Sequence, residues 1–136
     1  FPKDKKVVKK DYLNLIICNS CELVQLDRNF NRNFLYGPNY GYRTGINKTM
    51  TDHVKHIANE ASKIVKITKG DHVLDIASND GTLLNSYPKK IIKIGIDPIL
   101  KRFKKNYKNI QYSIPNFFTY KNFRKLNIKK NELLNI

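Results

Sequence analysis

The chain is 136 residues long, which is room for one modest domain and too little for two. It carries 26 Lys and Arg against 11 Asp and Glu, yet 40% of it is hydrophobic and 8 Tyr and 7 Phe are present, which excludes a wholly disordered polar tail. The longest apolar runs, Leu15 to Ile17 and Ile91 to Ile92, fall far short of the roughly 20 residues a membrane span needs, so no membrane partner is expected.

Residues 11 to 26 alternate and run apolar as a short hairpin does, with the turn at Asn19-Ser20 between Cys18 and Cys21. Residues 27 to 46, rich in Asn, Gly and Tyr, read as an ordered loop. From Asn47 to Thr68 the apolar residues Met50, Val54, Ile57, Ala58, Ala61, Ile64 and Val65 recur at spacings of three and four, which predicts a helix, with Thr49 and Asp52 as a capping pair. Lys69-Gly70-Asp71 breaks it, and His72 to Ile76 reads as a buried strand. Ala77 to Gly81 is a tight turn into a short helix, Thr82 to Tyr87, stopped by Pro88. Residues 91 to 97 form a second buried strand ending on an acid. Pro98 opens a basic helix to about Tyr107, Ile110 to Ile114 is a third strand, and Thr119 to Leu126 another helix. Strand alternating with helix predicts an α/β fold with a doubly wound parallel sheet.

The formal charge of +15 raises the question of a nucleic-acid partner. Residues 1 to 10 carry a net +4, residues 11 to 88 a net of zero, and residues 89 to 136 a net +11, so the motif-bearing stretch is neutral. Lys outnumbers Arg 21 to 5, whereas base and phosphate readers lean on Arg for bidentate contacts. Lys, Asn and Ile make up 54 of the 136 residues, and all three are encoded by AT-rich codons, which accounts for the excess of Lys without a phosphate-binding role. Nucleic acid is therefore not the expected partner. A basic RNA- or anion-binding module built on residues 89 to 136 is the alternative from outside enzymes.

The strongest motif is the strand Val73 to Ile76, the turn Ala77-Ser78-Asn79-Asp80-Gly81 and the following Thr82-Leu83-Leu84, with Gly95-Ile96-Asp97-Pro98 further on. Small residues at 77, 78 and 81 let backbone approach a ligand, and the new helix offers its N–H groups there. Asp97 lies 22 residues beyond Asp75, at the tip of the second strand, where a carboxylate accepts hydrogen bonds from both hydroxyls of a ribose. A nicotinamide fingerprint needs glycines at the first two positions of G-x-G-x-x-G, and here Ala77 and Asn79 stand there. The polar groups of Asn79 and Asp80 repel a pyrophosphate and suit a zwitterionic amino-acid end.

These residues resemble motif I and the ribose-binding acid of class I S-adenosylmethionine-dependent methyltransferases. The wording from Ser78 to Leu84 is similar to the C-methyltransferases that act on nucleotide-activated deoxysugars. Tyr40-Gly41-Tyr42-Arg43-Thr44-Gly45 through Met50 and His53 resembles that family's Y-x-Y-x-S-G-x-x-x-x-M-x-x-H stretch, and Leu15 to Leu26 resembles the second half of its small N-terminal zinc-binding module. Ala77 stands where the family usually has Gly, which is tolerated if φ there stays negative.

The resemblance implies that Asp75, Ala77, Ser78, Asn79, Asp80 and Gly81 hold the methionyl end of S-adenosylmethionine and Asp97 its ribose. Asn116 would lie by the adenine. Tyr40, Tyr42 and His53 would border the sugar, a nucleotide-linked keto sugar or another small-molecule acceptor. Cys18 and Cys21 would be two ligands of a structural zinc whose other two lie upstream of Phe1, and the catalytic base would follow Ile136. The expectation is a fragment: residues 1–46 a remnant of the zinc module and the substrate-side loop, residues 47–136 the first half of the donor-binding domain, inactive by itself. With no signal-type apolar segment, the expected compartment is the cytoplasm. A class I methyltransferase with a different small-molecule or protein acceptor is the nearest competing reading.

Overall fold

The computed structural model describes residues 12–126 and residue 128. The chain divides into two compact units at Asn31 and Arg32. Residues 32–46 thus group with the sheet-bearing unit that follows them.

In the first unit, β1 (Leu15–Ile17) pairs antiparallel with β2 (Val24–Leu26), Leu15 opposite Leu26. The strands are shorter than the expected hairpin because the backbone already turns at Cys18, whose N–H donates to Leu23 O at 3.0 Å while its carbonyl accepts from Glu22 N at 2.8 Å. Glu22 takes φ 59° to close the loop.

The second unit opens with α1 (Arg32–Tyr36) and a short 3₁₀ turn (Thr44–Ile46), both inside the stretch expected to be loop alone. Then comes α2 (Lys48–Ile64). Its cap is Asn47, whose Oδ1 accepts from Met50 N at 3.1 Å, and Thr49 lies inside the first turn. The short amide in extended backbone reaches the third helical N–H, which leaves the expected Thr49 and Asp52 pair no capping role. Ala58 is fully buried on α2, whereas Ile57 and Ile64 face outward.

A parallel three-stranded sheet follows in the order β3 (His72–Ile76), β4 (Ile92–Ile96), β5 (Tyr112–Ile114), with Asp75 opposite Gly95 and Ile96 opposite Ile114. Helix α3 (Thr82–Ser86) connects β3 to β4, and a kinked 3₁₀ helix (Leu100–Tyr107), non-helical at Phe103, connects β4 to β5 in place of the expected α-helix from Pro98. Helix α4 (Tyr120–Arg124) follows β5, capped by Thr119 Oγ1 accepting from Asn122 N at 3.1 Å. This is an α/β unit with a parallel sheet flanked by helices, compatible with part of a Rossmann-like fold.

Strand β4 is central and buried, with Ile94 0% and Ile96 1% exposed. The expectation of a buried β3 fails in part: Leu74 is 37% and Ile76 51% exposed, because β3 forms one edge of the described sheet. One buried cluster joins Leu84, Leu100, Tyr107 and Ile110, with Val73 and Phe103 packed against it. Lys93 is buried beside it, its Nζ donating to Tyr87 O at 2.8 Å, and burial, with Lys89 nearby, lowers its pKa. No helix among the described residues is long and apolar enough to cross a membrane.

Candidate functional site

The turn after β3 hooks over the end of β4, since the N–H groups of Ala77 and Ser78 both donate to Ile96 O, at 2.8 and 3.2 Å. Three of its residues lie in the left-handed region: Ala77 at φ 64°, Asn79 at 49° and Gly81 at 77°. The negative φ expected of Ala77 is therefore not what the turn adopts. The N–H groups expected to greet a ligand are mostly used inside the protein: Asn79 N donates to Asp97 Oδ2 at 2.9 Å, Gly81 N to Ser78 O at 2.8 Å and Thr82 N to Asp80 Oδ1 at 3.2 Å.

Tyr107, a residue the sequence did not single out, supports this turn from below. Its hydroxyl donates to Asn79 O at 2.8 Å and pairs with Ser78 Oγ at 2.9 Å. Burial raises its pKa, so the hydroxyl stays protonated as the donor this bond requires. The ring fills the space over two glycines: a Cβ on Gly95 would meet Tyr107 Cε1 at 2.8 Å, and one on Gly81 would meet Cε2 at 3.2 Å. A glycine amid the isoleucines of β4 is the sequence signal for such a crossing ring.

The Tyr42 to Gly45 segment is strapped onto the same turn. Asn79 accepts from Thr44 N at 3.0 Å through Oδ1 and donates to Tyr42 O at 3.2 Å through Nδ2. Asp80, fully buried, accepts from Arg43 Nε at 2.9 Å, from Gly45 N at 3.0 Å and from Thr82 Oγ1. Burial pushes the Asp80 carboxyl up, but the bonds from Thr82, Arg43 and Gly45 outweigh it and hold it below the usual range. Asp80 thus anchors the strap, and its carboxylate is committed inside the protein. Arg43 also lies 5.3 Å over the Phe103 ring, and Arg102 donates to Pro38 O at 3.1 Å and Tyr40 O at 2.9 Å.

Between strap and turn lies a cleft of about 380 Å³. Tyr36, Tyr40, Tyr42 and Thr44 form one wall, Ala77, Asn79, Asp97 and Pro98 the floor, and Phe117 the far side. Asp97 is 6% exposed, with Oδ2 bound to Asn79 N and Oδ1 to Ile99 N at 2.8 Å. Each oxygen keeps a second acceptor lone pair. Asp75 lies near Asp97 in charge but does not line the cleft; burial, and then the Asp97 charge, push its carboxyl up to about 6. Among the described residues its carboxylate accepts no hydrogen bond. A neighbouring pocket of about 300 Å³ shares Pro98 and Phe117 with the cleft and adds Ile99, Arg102 and Asn116.

The structure therefore brings Tyr40, Tyr42, Ala77, Asn79 and Asp97 together, puts Asn116 next door, and leaves Ser78, Asp80 and Gly81 as the framework of the turn. His53 is exposed on α2 and lines neither space, and His56 faces a separate groove with Glu60, Lys63 and Tyr87. In the first unit, the N–H groups of Cys21 and Ser20 lower the pKa of Cys18. Cys18 and Cys21 are half of a tetrahedral donor set, and among the described residues no group of three or more His, Cys, Asp or Glu gathers as a metal site. The described donors do not make a zinc centre by themselves. No protein-family model matches this chain, and no curated protein matches it.

Proposed function

We propose that the cleft holds S-adenosylmethionine and that the protein transfers its methyl group to a carbon of a nucleotide-linked keto sugar. The observation carrying the donor reading is the buried Asp97 at the carboxyl end of a central parallel strand, lining a cleft closed by the β3 turn. Bound there, the donor supplies an electrophilic methyl on a sulfonium sulfur. Asp97 accepts the ribose hydroxyls through the lone pairs that Asn79 and Ile99 leave free. Ala77 and Asn79 border the methionyl end, and Pro98, Ile99, Asn116 and Phe117 bound the space next to the ribose that suits a flat base. Tyr40 and Tyr42 face the acceptor side, with the backbone of Tyr42 held to the turn by Asn79. No His or Lys among the described residues lines the cleft, so the base that forms the acceptor enolate is assigned to none of them.

Calorimetry with S-adenosylhomocysteine tests the donor site. Binding should be saturable at one site, and Asp97→Asn, which keeps one acceptor for the backbone, should weaken it by about 10-fold or more. Unchanged affinity in a folded Asp97→Asn variant would remove the basis of the reading.

A further inference from the structure

The chain carries 26 Lys and Arg, yet among the described residues none lines the cleft, whose only formal charge is the carboxylate of Asp97. The nearest guanidinium on the strap, that of Arg43, is committed to Asp80. Arg32, 4.7 Å over the Phe117 ring, and Arg102, donating to Tyr40 O, back the lining residues without lining the cleft themselves, so the charge an incoming group meets in the lining is the carboxylate. It also meets aromatic surface: Tyr36 and Tyr40 lie edge to face with centroids 5.4 Å apart, and Tyr40 and Tyr42 lie 6.4 Å apart with planes inclined by 56°. Three mutually inclined tyrosine rings thus line one space together with a carboxylate, and the face of an aromatic ring attracts onium cations.

We propose that the Tyr36, Tyr40 and Tyr42 wall is an onium cage that makes the cleft select the positively charged donor over its neutral product. This rests on the nucleoside reading above and adds the charge of the preferred ligand. The backbone that carries two of these rings is tethered before any ligand arrives, because Arg102 donates to the Tyr40 carbonyl and Asn79 to the Tyr42 carbonyl, which lowers the ordering that binding must supply. Product release follows from the same chemistry: once the methyl leaves, the sulfur is a neutral thioether and the attraction to the rings and to Asp97 falls.

The test is a set of titrations on the full chain with S-adenosylmethionine, S-adenosylhomocysteine and sinefungin, in which a protonated amine stands in for the sulfonium. The two cations should bind about 3- to 10-fold more tightly than the thioether, the range expected for partly exposed rings. Tyr40→Leu should erase that preference, Tyr40→Phe, which keeps the π face, should retain it, and Tyr120→Leu on exposed α4 should leave it unchanged. Equal binding of all three ligands to the wild type overturns the cage and leaves the nucleoside reading standing. If no nucleoside binds, that reading fails, and tetramethylammonium then decides the cage alone: saturable shifts of the Tyr36, Tyr40 and Tyr42 ring resonances support it, and their absence overturns it.

Discussion

Two residues where β3 runs into its turn carry costs that the rest of the unit offsets. Ala77 sits at φ 64°, where its Cβ crowds the carbonyl and an L-residue costs roughly 1–2 kcal/mol. Glycine would relieve that strain at the expense of about 0.5–1 kcal/mol of unfolded-chain entropy. Ala77→Gly should therefore raise stability by about 0.5–1 kcal/mol in urea unfolding, and a destabilised variant would contradict the backbone assigned here. Asp75 carries the second cost. Its carboxyl titrates at about 6 in the folded chain, against about 3.9 unfolded. Between those values the folded state binds the extra proton, so this residue's contribution to stability falls as pH rises from about 4 to 6, and the full penalty persists above that. Because Asp75 keeps partial contact with solvent, the penalty should be about 1–2 kcal/mol, below the limit its shift allows. Asp75→Asn should be more stable than the wild type by that amount at pH 7, and the gap should close by pH 4. A gap independent of pH would show that Asp75 titrates normally.

At the scale of elements, the strap and the turn behave as one piece. Gly45 approaches so closely that a Cβ there would stand 2.7 Å from both Asp80 Oδ2 and Thr82 Oγ1. Gly45→Ala should push the strap off the turn, cost about 1–3 kcal/mol, and weaken ligand binding by more than the stability loss explains, because Tyr42 and Thr44 move with it. Thermal melts and calorimetry on the same variant separate the two effects, and an unaltered affinity would mean that the strap is not a wall of the site. This coupling also marks where the sequence stopped being legible. The strand His72–Ile76, the turn and the acid at Asp97 were readable because apolar runs, small residues and spacing are local signals. That Asp80 faces the strap and not the ligand was not, since its partners Arg43 and Gly45 lie more than thirty residues upstream and nothing local distinguishes an anchoring carboxylate from a binding one. Tyr107 is hidden in the same way, since its partners Ser78 and Asn79 are likewise remote in sequence. The exposure of Leu74 and Ile76 depends on which neighbours β3 has, a property of the sheet and not of the strand.

At the scale of the molecule, charge and site are segregated. Residues 89 to 136 carry a net +11 and residues 11 to 88 none, while the cleft that gathers residues from both stretches presents a single carboxylate. A surface this basic raises the potential everywhere within about a Debye length, which works against a cationic ligand at low salt and is relieved as salt screens it. For a cationic nucleoside in the cleft, raising salt from about 50 to 300 mM should leave affinity within about 3-fold or strengthen it slightly. A polyanion held by the Lys-rich stretch would respond in the opposite sense, because each phosphate contact returns a counterion on binding, and several contacts lose a factor of about 10³ or more over a comparable range. The sign of the salt dependence thus separates the two classes of function that the composition leaves open. A donor affinity that collapses with salt would place the ligand on the basic surface, whereas a flat or rising curve is what a cation held between the tyrosines and Asp97 requires.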